Sequence, residues 1–140
     1  MLTPDINHKI SLKLYSLESK HLYCKIELNN VTGFFLIDSG ASNSCIDLEK
    51  KDKFKLKKFK KSYSASGAGN EKFDAYKTKK GEFSYNKKVI DKLNFLLIDM
   101  GPINTALNKI DNINIDGIIG VDFLLRNNAV LNFEKMKLYI

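Results

Sequence analysis

Apolar and polar positions alternate twice near the start of the chain. Ile10, Leu12 and Leu14 alternate with Ser11, Lys13 and Tyr15, and Leu22, Cys24, Ile26 and Leu28 alternate with Tyr23, Lys25 and Glu27. A period of two marks strands with one wet face. Asn29-Asn30-Val31-Thr32-Gly33 reads as a turn, after which Phe34-Phe35-Leu36-Ile37 is apolar without interruption. An unbroken apolar run suits a strand covered on both faces. This one runs straight into Asp38-Ser39-Gly40-Ala41-Ser42. The first part of the chain therefore predicts a meander that delivers one carboxylate, Asp38, to the end of a core strand.

Beyond it, Phe54 and Leu56 alternate with Lys53, Lys55 and Lys57, which predicts a further half-wet strand. Small residues and two glycines in 62–71 predict a hairpin tip. Strands are expected over 82–85, 89–93 and 93–98, the first two separated by a turn at Asn86-Lys87. Residues 107–114 are polar and weakly patterned, and read as a loop or one turn of helix. Residues 121–126 fit a short helix stopped by Asn127-Asn128, and 129–133 and 136–140 are the last strands, hinged at Glu134-Lys135. Leu97-Ile98-Asp99-Met100-Gly101 echoes Leu36-Ile37-Asp38-Ser39-Gly40. Met100 has no hydroxyl where Ser39 has one, and Pro102 stands where the small Ala41 does, so Asp99 is expected to be a strand-end residue and the echo an internal pseudo-repeat.

Composition bounds the chemistry. A chain of 140 residues with 44% hydrophobic residues suffices for one domain with a single core. The excess of 23 basic over 16 acidic residues comes mostly from the lysine-dense run at 50–61. Such a run can attract nucleic acid, an anionic membrane surface or an acidic substrate. No interleaved aromatics or RNA-module motif accompany it, so a solvated face is the expectation and nucleic acid is not the expected partner. Gly67-Ala68-Gly69 lacks the Gly-Lys-Ser/Thr that a phosphate loop requires. Cys24 and Cys45 have no metal-ligand spacing and read as small buried hydrophobes, and His8 and His21 belong to no motif. No metal or organic cofactor is expected. No stretch is long enough to span a bilayer, and Met1-Leu2-Thr3-Pro4-Asp5 has no basic-then-apolar leader pattern, which gives a cytoplasmic location as the default.

Two segments carry a resemblance. The apolar run followed by Asp38-Ser39-Gly40-Ala41-Ser42 resembles the catalytic loop of the retropepsin-like aspartic proteases, which read hydrophobic-Asp-Thr/Ser-Gly-Ala-Ser/Thr/Asp. Eighty residues after Asp38 begins Ile118-Ile119-Gly120-Val121-Asp122-Phe123-Leu124-Leu125, followed by Val130-Leu131-Asn132-Phe133, similar to that family's second characteristic segment. The resemblance implies an all-β fold, a closed or nearly closed barrel with a flap hairpin and one short C-terminal helix, over residues 1–140 as a single domain. It also implies that Asp38, Ser39 and Gly40 form the catalytic loop. Ala41, Ser42, Ile118 and the flap residues Ser66, Gly67, Ala68 and Gly69 would face substrate. Gly120 would let two backbones pack closely, and Asp122 would bond Ser44 or nearby backbone in a structural role. Retroviral enzymes carry an acidic residue where Ser42 stands and a basic one where Val121 stands; both are uncharged here, as in cellular and bacterial relatives.

Peptide hydrolysis of this type needs two close carboxyls sharing one proton. One activates a water, and the protonated one hydrogen-bonds the scissile carbonyl. The chain offers one such group, so the resemblance implies a homodimer with Asp38 and its mate at the two-fold axis, held by Ser39, acting on an extended peptide. Two other readings stand beside it: a catalytically silent domain of the same fold that binds peptides or dimerises, and a basic β-barrel that binds nucleic acid.

Overall fold

A computed structural model describes residues 10–66 and 72–140. Its elements run β1 (Ser11–Lys13), β2 (Tyr15–Ser16), β3 (Leu22–Leu28), β4 (Val31–Ile37), β5 (Cys45–Asp47), β6 (Lys58–Ser66), β7 (Lys72–Thr78), β8 (Gly81–Tyr85), β9 (Lys88–Leu93) and β10 (Leu96–Ile98). Then follow α1 (Gly101–Asp111), β11 (Gly117–Ile119), α2 (Val121–Arg126), β12 (Val130–Asn132) and β13 (Lys137–Tyr139). Two hairpins set the register at the start of the larger sheet. Asn29 and Asn30 join β3 to β4 with φ of 49° and 66°, and Asn86 and Lys87 join β8 to β9 with the same values. Two successive left-handed residues make a turn whose twist matches that of paired strands.

The larger sheet has the order β6-β7-β10-β5-β11-β4-β3-β8-β9, with β2 added beside β3. Among the described residues its ends, β6 and β9, do not pair with each other, so the barrel expected from the sequence is a curled sheet left open. A second sheet, β1-β13-β12, gathers the strands from both ends of the fold. Two further corrections concern the middle of the chain. Residues 51–55 are turns and not a strand, with Lys55 left-handed at φ 53°; Phe54 and Leu56 are buried all the same. The segment read as a loop or one turn of helix over 107–114 is the end of a longer helix, because α1 covers Gly101–Asp111. It starts with Pro102 in the first turn, where no amide is lost, and ends at Asn112 with φ 53°, a left-handed C-cap. The short C-terminal helix expected over 121–126 is α2.

The sheet carries apolar side chains on both faces. On one, Phe83 is the hub: its ring centroid lies 5.5 Å from Phe35, 5.1 Å from Phe95 and 5.2 Å from Phe123, all edge-on. Edge-to-face contact is the favourable arrangement for aromatic rings, and this cluster ties β8, β4 and α2 together. On the other face, Tyr23, Ile98, Met100, Leu107, Ile115 and Ile118 form a second cluster.

The end of α1 is secured by a buried carboxylate. Asp111 accepts hydrogen bonds from the Ser19 amide at 2.8 Å, the Ser19 hydroxyl at 2.5 Å and the Tyr23 hydroxyl at 2.6 Å. Desolvation works to raise the Asp111 pKa, but the Ser19 and Tyr23 hydrogen bonds, with the nearby charge of His21, outweigh it and hold the carboxyl below its ordinary value. Burial together with the same bond pushes the Tyr23 phenol up to about 12.

Phe83→Ala is expected to cost about 3–5 kcal/mol in denaturant unfolding, and Phe83→Leu distinctly less. A carboxylate with a depressed folded-state pKa stabilises above its unfolded value, and that stabilisation is lost as pH falls through the folded value. Thermal melts of the wild type are therefore expected to soften as pH drops below about 4. Asp111→Asn should melt lower at pH 7 and show a flatter profile across that acid range.

Candidate active site

Asp38 follows the last residue of β4. The strand beside it, β11, runs parallel to β4 with Ile118 opposite Leu36 and Ile119 opposite Ile37, and the Asp38 amide continues that ladder by donating to the Ile119 carbonyl at 2.9 Å. The backbone then turns back on itself, with the Ala41 amide donating to the Asp38 carbonyl at 3.1 Å. Within the turn the Gly40 amide donates to Asp38 Oδ1 at 2.9 Å, which aims the carboxylate. Gly40 does not use the left-handed conformation open to glycine. What it supplies is room, since a Cβ there would stand 3.2 Å from Asp38 Oδ1. Asp38 is half-buried, and Ser39, Gly40 and Ser42 lie exposed around it.

The loop is clamped from behind. A Cβ on Gly120 would stand 2.6 Å from the Ala41 carbonyl oxygen and 3.0 Å from the Asn43 carbonyl, closer than real Cβ contacts come, so only glycine fits. Immediately beyond it the Val121 amide donates to that Ala41 carbonyl at 2.8 Å. Ser44 is fully buried and bridges the two segments. Its hydroxyl donates to Asp122 Oδ1 at 2.7 Å and accepts from the Gly120 amide at 2.9 Å, while its own amide donates to Asp122 Oδ2 at 3.0 Å. Both oxygens of Asp122 are thus engaged at the start of α2, where Oδ1 also accepts from the Phe123 amide at 2.9 Å.

Other residues singled out in the sequence fall in different places. Ala41 is half-buried at the loop's base. Ile118 is buried in the cluster with Tyr23, Met100 and Leu107, so it does not open onto solvent beside Asp38; Leu36, its neighbour in register, is half-exposed. Ser66 ends β6 opposite Lys72, as a hairpin requires, and Gly67, Ala68 and Gly69 lie outside the described residues. Asp99 repeats the Asp38 turn: β10 runs parallel to β5, and the Gly101 amide donates to Asp99 Oδ1 at 2.9 Å. There the next residues enter α1 instead of a loop.

Cys24 is buried, and burial pushes its thiol up to about 12. Cys45, near the loop, is raised to about 11 by burial and then by the charges of Asp122 and Asp38. A thiol held protonated at neutral pH is no nucleophile. Among the described residues, no group of three His, Cys, Asp or Glu side chains is placed to hold a metal ion, and no helix is long and apolar enough to cross a membrane. Asp116 was not legible as a site-supporting residue. Its Oδ2 accepts from the Phe34 amide at 2.9 Å and its Oδ1 meets Lys53 Nζ at 3.1 Å, which fastens the segment before β11 to β4 over a gap of 82 residues. The only local signal was an acidic residue preceding Gly117, common to many turns.

A strand-borne Asp-Ser-Gly loop, backed by a parallel strand and a glycine-led helix, defines a retropepsin-like aspartic protease fold. The aspartyl protease profile matches residues 24–123, and the chain belongs to the aspartyl protease family. Among solved structures, EIAV protease complexed with an inhibitor is similar at a TM-score of 0.59, with 17% identity over 94% of this chain and 100% of that one. A retropepsin-like aspartic protease from Rickettsia conorii gives a TM-score of 0.57 and 18% identity, covering 93% of this chain and 88% of that one. The retroviral protease-like domain of Ddi1 from Leishmania major gives 0.53 and 15% identity, covering 86% and 91%. No curated protein matches the sequence significantly.

Gly120→Ala forces the Ala41 carbonyl to move and is expected to destabilise by about 1–3 kcal/mol. Ser44→Ala removes one partner each from the Gly120 amide and Asp122, at about 1–3 kcal/mol. Denaturant titration of both variants measures these costs directly.

Proposed function

We propose that the protein is an aspartic endopeptidase that hydrolyses peptide bonds in extended polypeptide segments, with the active site completed by a second copy of the chain. The carrying observation is a carboxylate aimed by the Gly40 amide at 2.9 Å, set on a clamped loop whose outer residues Ser39, Gly40 and Ser42 are exposed. Asp38 by itself lacks the partner carboxyl that this chemistry needs. A two-fold axis beside the loop supplies the second Asp38 in an identical setting. The pair shares one proton, since two carboxyls in contact cannot both ionise cheaply. The ionised member removes a proton from a bound water, and the protonated member donates to the scissile carbonyl as the tetrahedral centre forms. Ser39 hydroxyls hold the two loops together across the axis.

Surface composition supports the dimer. Leu125 is 71% exposed, Val130 39% and Phe133 66%, and all three belong to α2, β12 or the residue just after it. Among the described residues β12 pairs with β13 alone in the smaller sheet, so its other edge is open to a strand. Exposed apolar residues beside an unpaired edge mark a contact surface. Residues 66–69, read from the sequence as the flap and lying beyond Ser66 outside the described residues, are proposed to close over the bound peptide and exclude water.

Cleavage of a mixed peptide library from pH 4 to 7, at high protein concentration, tests the reading. The wild type should cut and Asp38→Asn should not; equal cutting by both would remove Asp38 from the chemistry. A dimer in the same sample that leaves every peptide intact would point instead to a silent peptide-binding domain. Phe133→Asp should shift sedimentation toward monomer and lower cleavage in parallel.

A further inference from the structure

One concavity of the molecule lies away from Asp38. It is a cleft of about 670 Å³ between the two left-handed hairpin turns and β2. Its walls carry three lysines, Lys13, Lys25 and Lys87, against one carboxylate, Glu27. Among the described residues none of the three ammonium groups has an acidic side chain within ion-pair distance. Two of them crowd one ring: Lys13 Nζ lies 4.9 Å and Lys25 Nζ 5.4 Å from the Tyr15 centroid. The ring attracts both cations, and an anion entering the cleft would meet two positive charges beside one aromatic ring.

We propose that this cleft binds an acidic segment of a polypeptide. The choice among anions follows from the rest of the lining. The Tyr15 ring is flanked by two ammonium groups and by Phe34, and Tyr85 is the other aromatic in the lining, short of the run of aromatic faces on which successive bases of a single strand stack. Asn30, Asn86 and Thr32 line the same cleft and supply amide and hydroxyl groups suited to main-chain donors and acceptors. Glu27 offsets one of the three lysine charges and leaves the pocket positive; its Oε1 accepts from the Lys87 backbone amide at 3.3 Å, not from the Lys87 ammonium group. Both turns are fixed by their left-handed residues, so the walls are set before anything binds, which lowers the ordering cost.

The cleft is remote from the catalytic loop. Thr32 in its wall and Asp38 are both in the β4 segment, six residues apart, or roughly 20 Å at about 3.3 Å per residue. A polypeptide with acidic residues at that distance from its cutting site would therefore be held at two points. This use in cleavage rests on the endopeptidase reading, whereas occupancy of the cleft does not.

Binding is measured by fluorescence anisotropy of a labelled ten-residue polyglutamate peptide, in an Asp38→Asn background so that nothing is cut. The expected result is saturable binding at low salt, weakened at least tenfold in Lys25→Glu/Lys87→Glu and unchanged in Lys57→Glu/Lys60→Glu, which carries the same charge change elsewhere. Absence of binding, equal loss in both double variants, or tighter binding of a deca-thymidine probe at the same cleft would each overturn the proposal. In a catalytic assay with otherwise wild-type protein, Lys25→Glu/Lys87→Glu should raise KM for an acid-tailed peptide with kcat unchanged, and leave a neutral-tailed peptide unaffected. Saturable polyglutamate binding without cleavage of any peptide would support the cleft and count against the endopeptidase reading alone.

Discussion

The closeness of Gly120 to the Ala41–Asn43 backbone is the constraint on which the rest depends. Two segments 77–79 residues apart in the chain approach so tightly that a single methyl would stand 2.6 Å from a carbonyl oxygen. That approach lets the Ser44 hydroxyl reach the Gly120 amide and Asp122 at once. Buried polar groups are affordable only when each finds a partner, and here the partners come from two different parts of the chain. The Asp38 loop consequently inherits its rigidity from β11 and α2. Its own residues are mostly exposed and would not hold a carboxylate in one place.

The second Asp-X-Gly turn shows what the same local geometry does without that clamp. Asp99 and Asp38 each close a two-residue bond to a glycine amide at 2.9 Å, and each follows a strand with a parallel neighbour. After Gly101, however, the chain winds into α1 and packs Leu107 onto the second apolar cluster. The far end of that helix is then anchored to the β2–β3 connection by Asp111. One half of the repeat exposes its loop, and the other is converted into cover for the sheet.

Motifs with short-range logic were legible in the sequence. The β3–β4 hairpin announces itself through alternation and Asn-Asn, and the Asp38 loop and the Gly120 segment through their residue types; even the Ser44–Asp122 contact was readable as an expectation. Elements whose logic is long-range were not. The carboxylate of Asp111 meets Tyr23 across 88 residues, and nothing local distinguishes it from a solvated aspartate. The helix α1 was hidden by its polar residues, several of which serve the fold. Asn104 both accepts from the Ile115 amide at 2.7 Å and donates to its carbonyl at 3.2 Å, acting as a strand partner from within a helix. The lysines of 50–61 suggested a strand by alternation, but Lys55 turns left-handed there, and burial of Phe54 and Leu56 is achieved by a coil. Period-two alternation reports which residues are buried more faithfully than it reports backbone conformation.

The smaller sheet also carries a consequence for folding. Its central strand, β13, lies between β1 and β12, pairing Tyr139 with both Ser11 and Val130. Among the described residues, β1 and β12 therefore have no partner in this sheet until β13, which follows both in the chain, is in place. The β12 edge proposed to join two copies is therefore held in place through its inner pairing with β13, and disturbing β13 would disturb that edge as well.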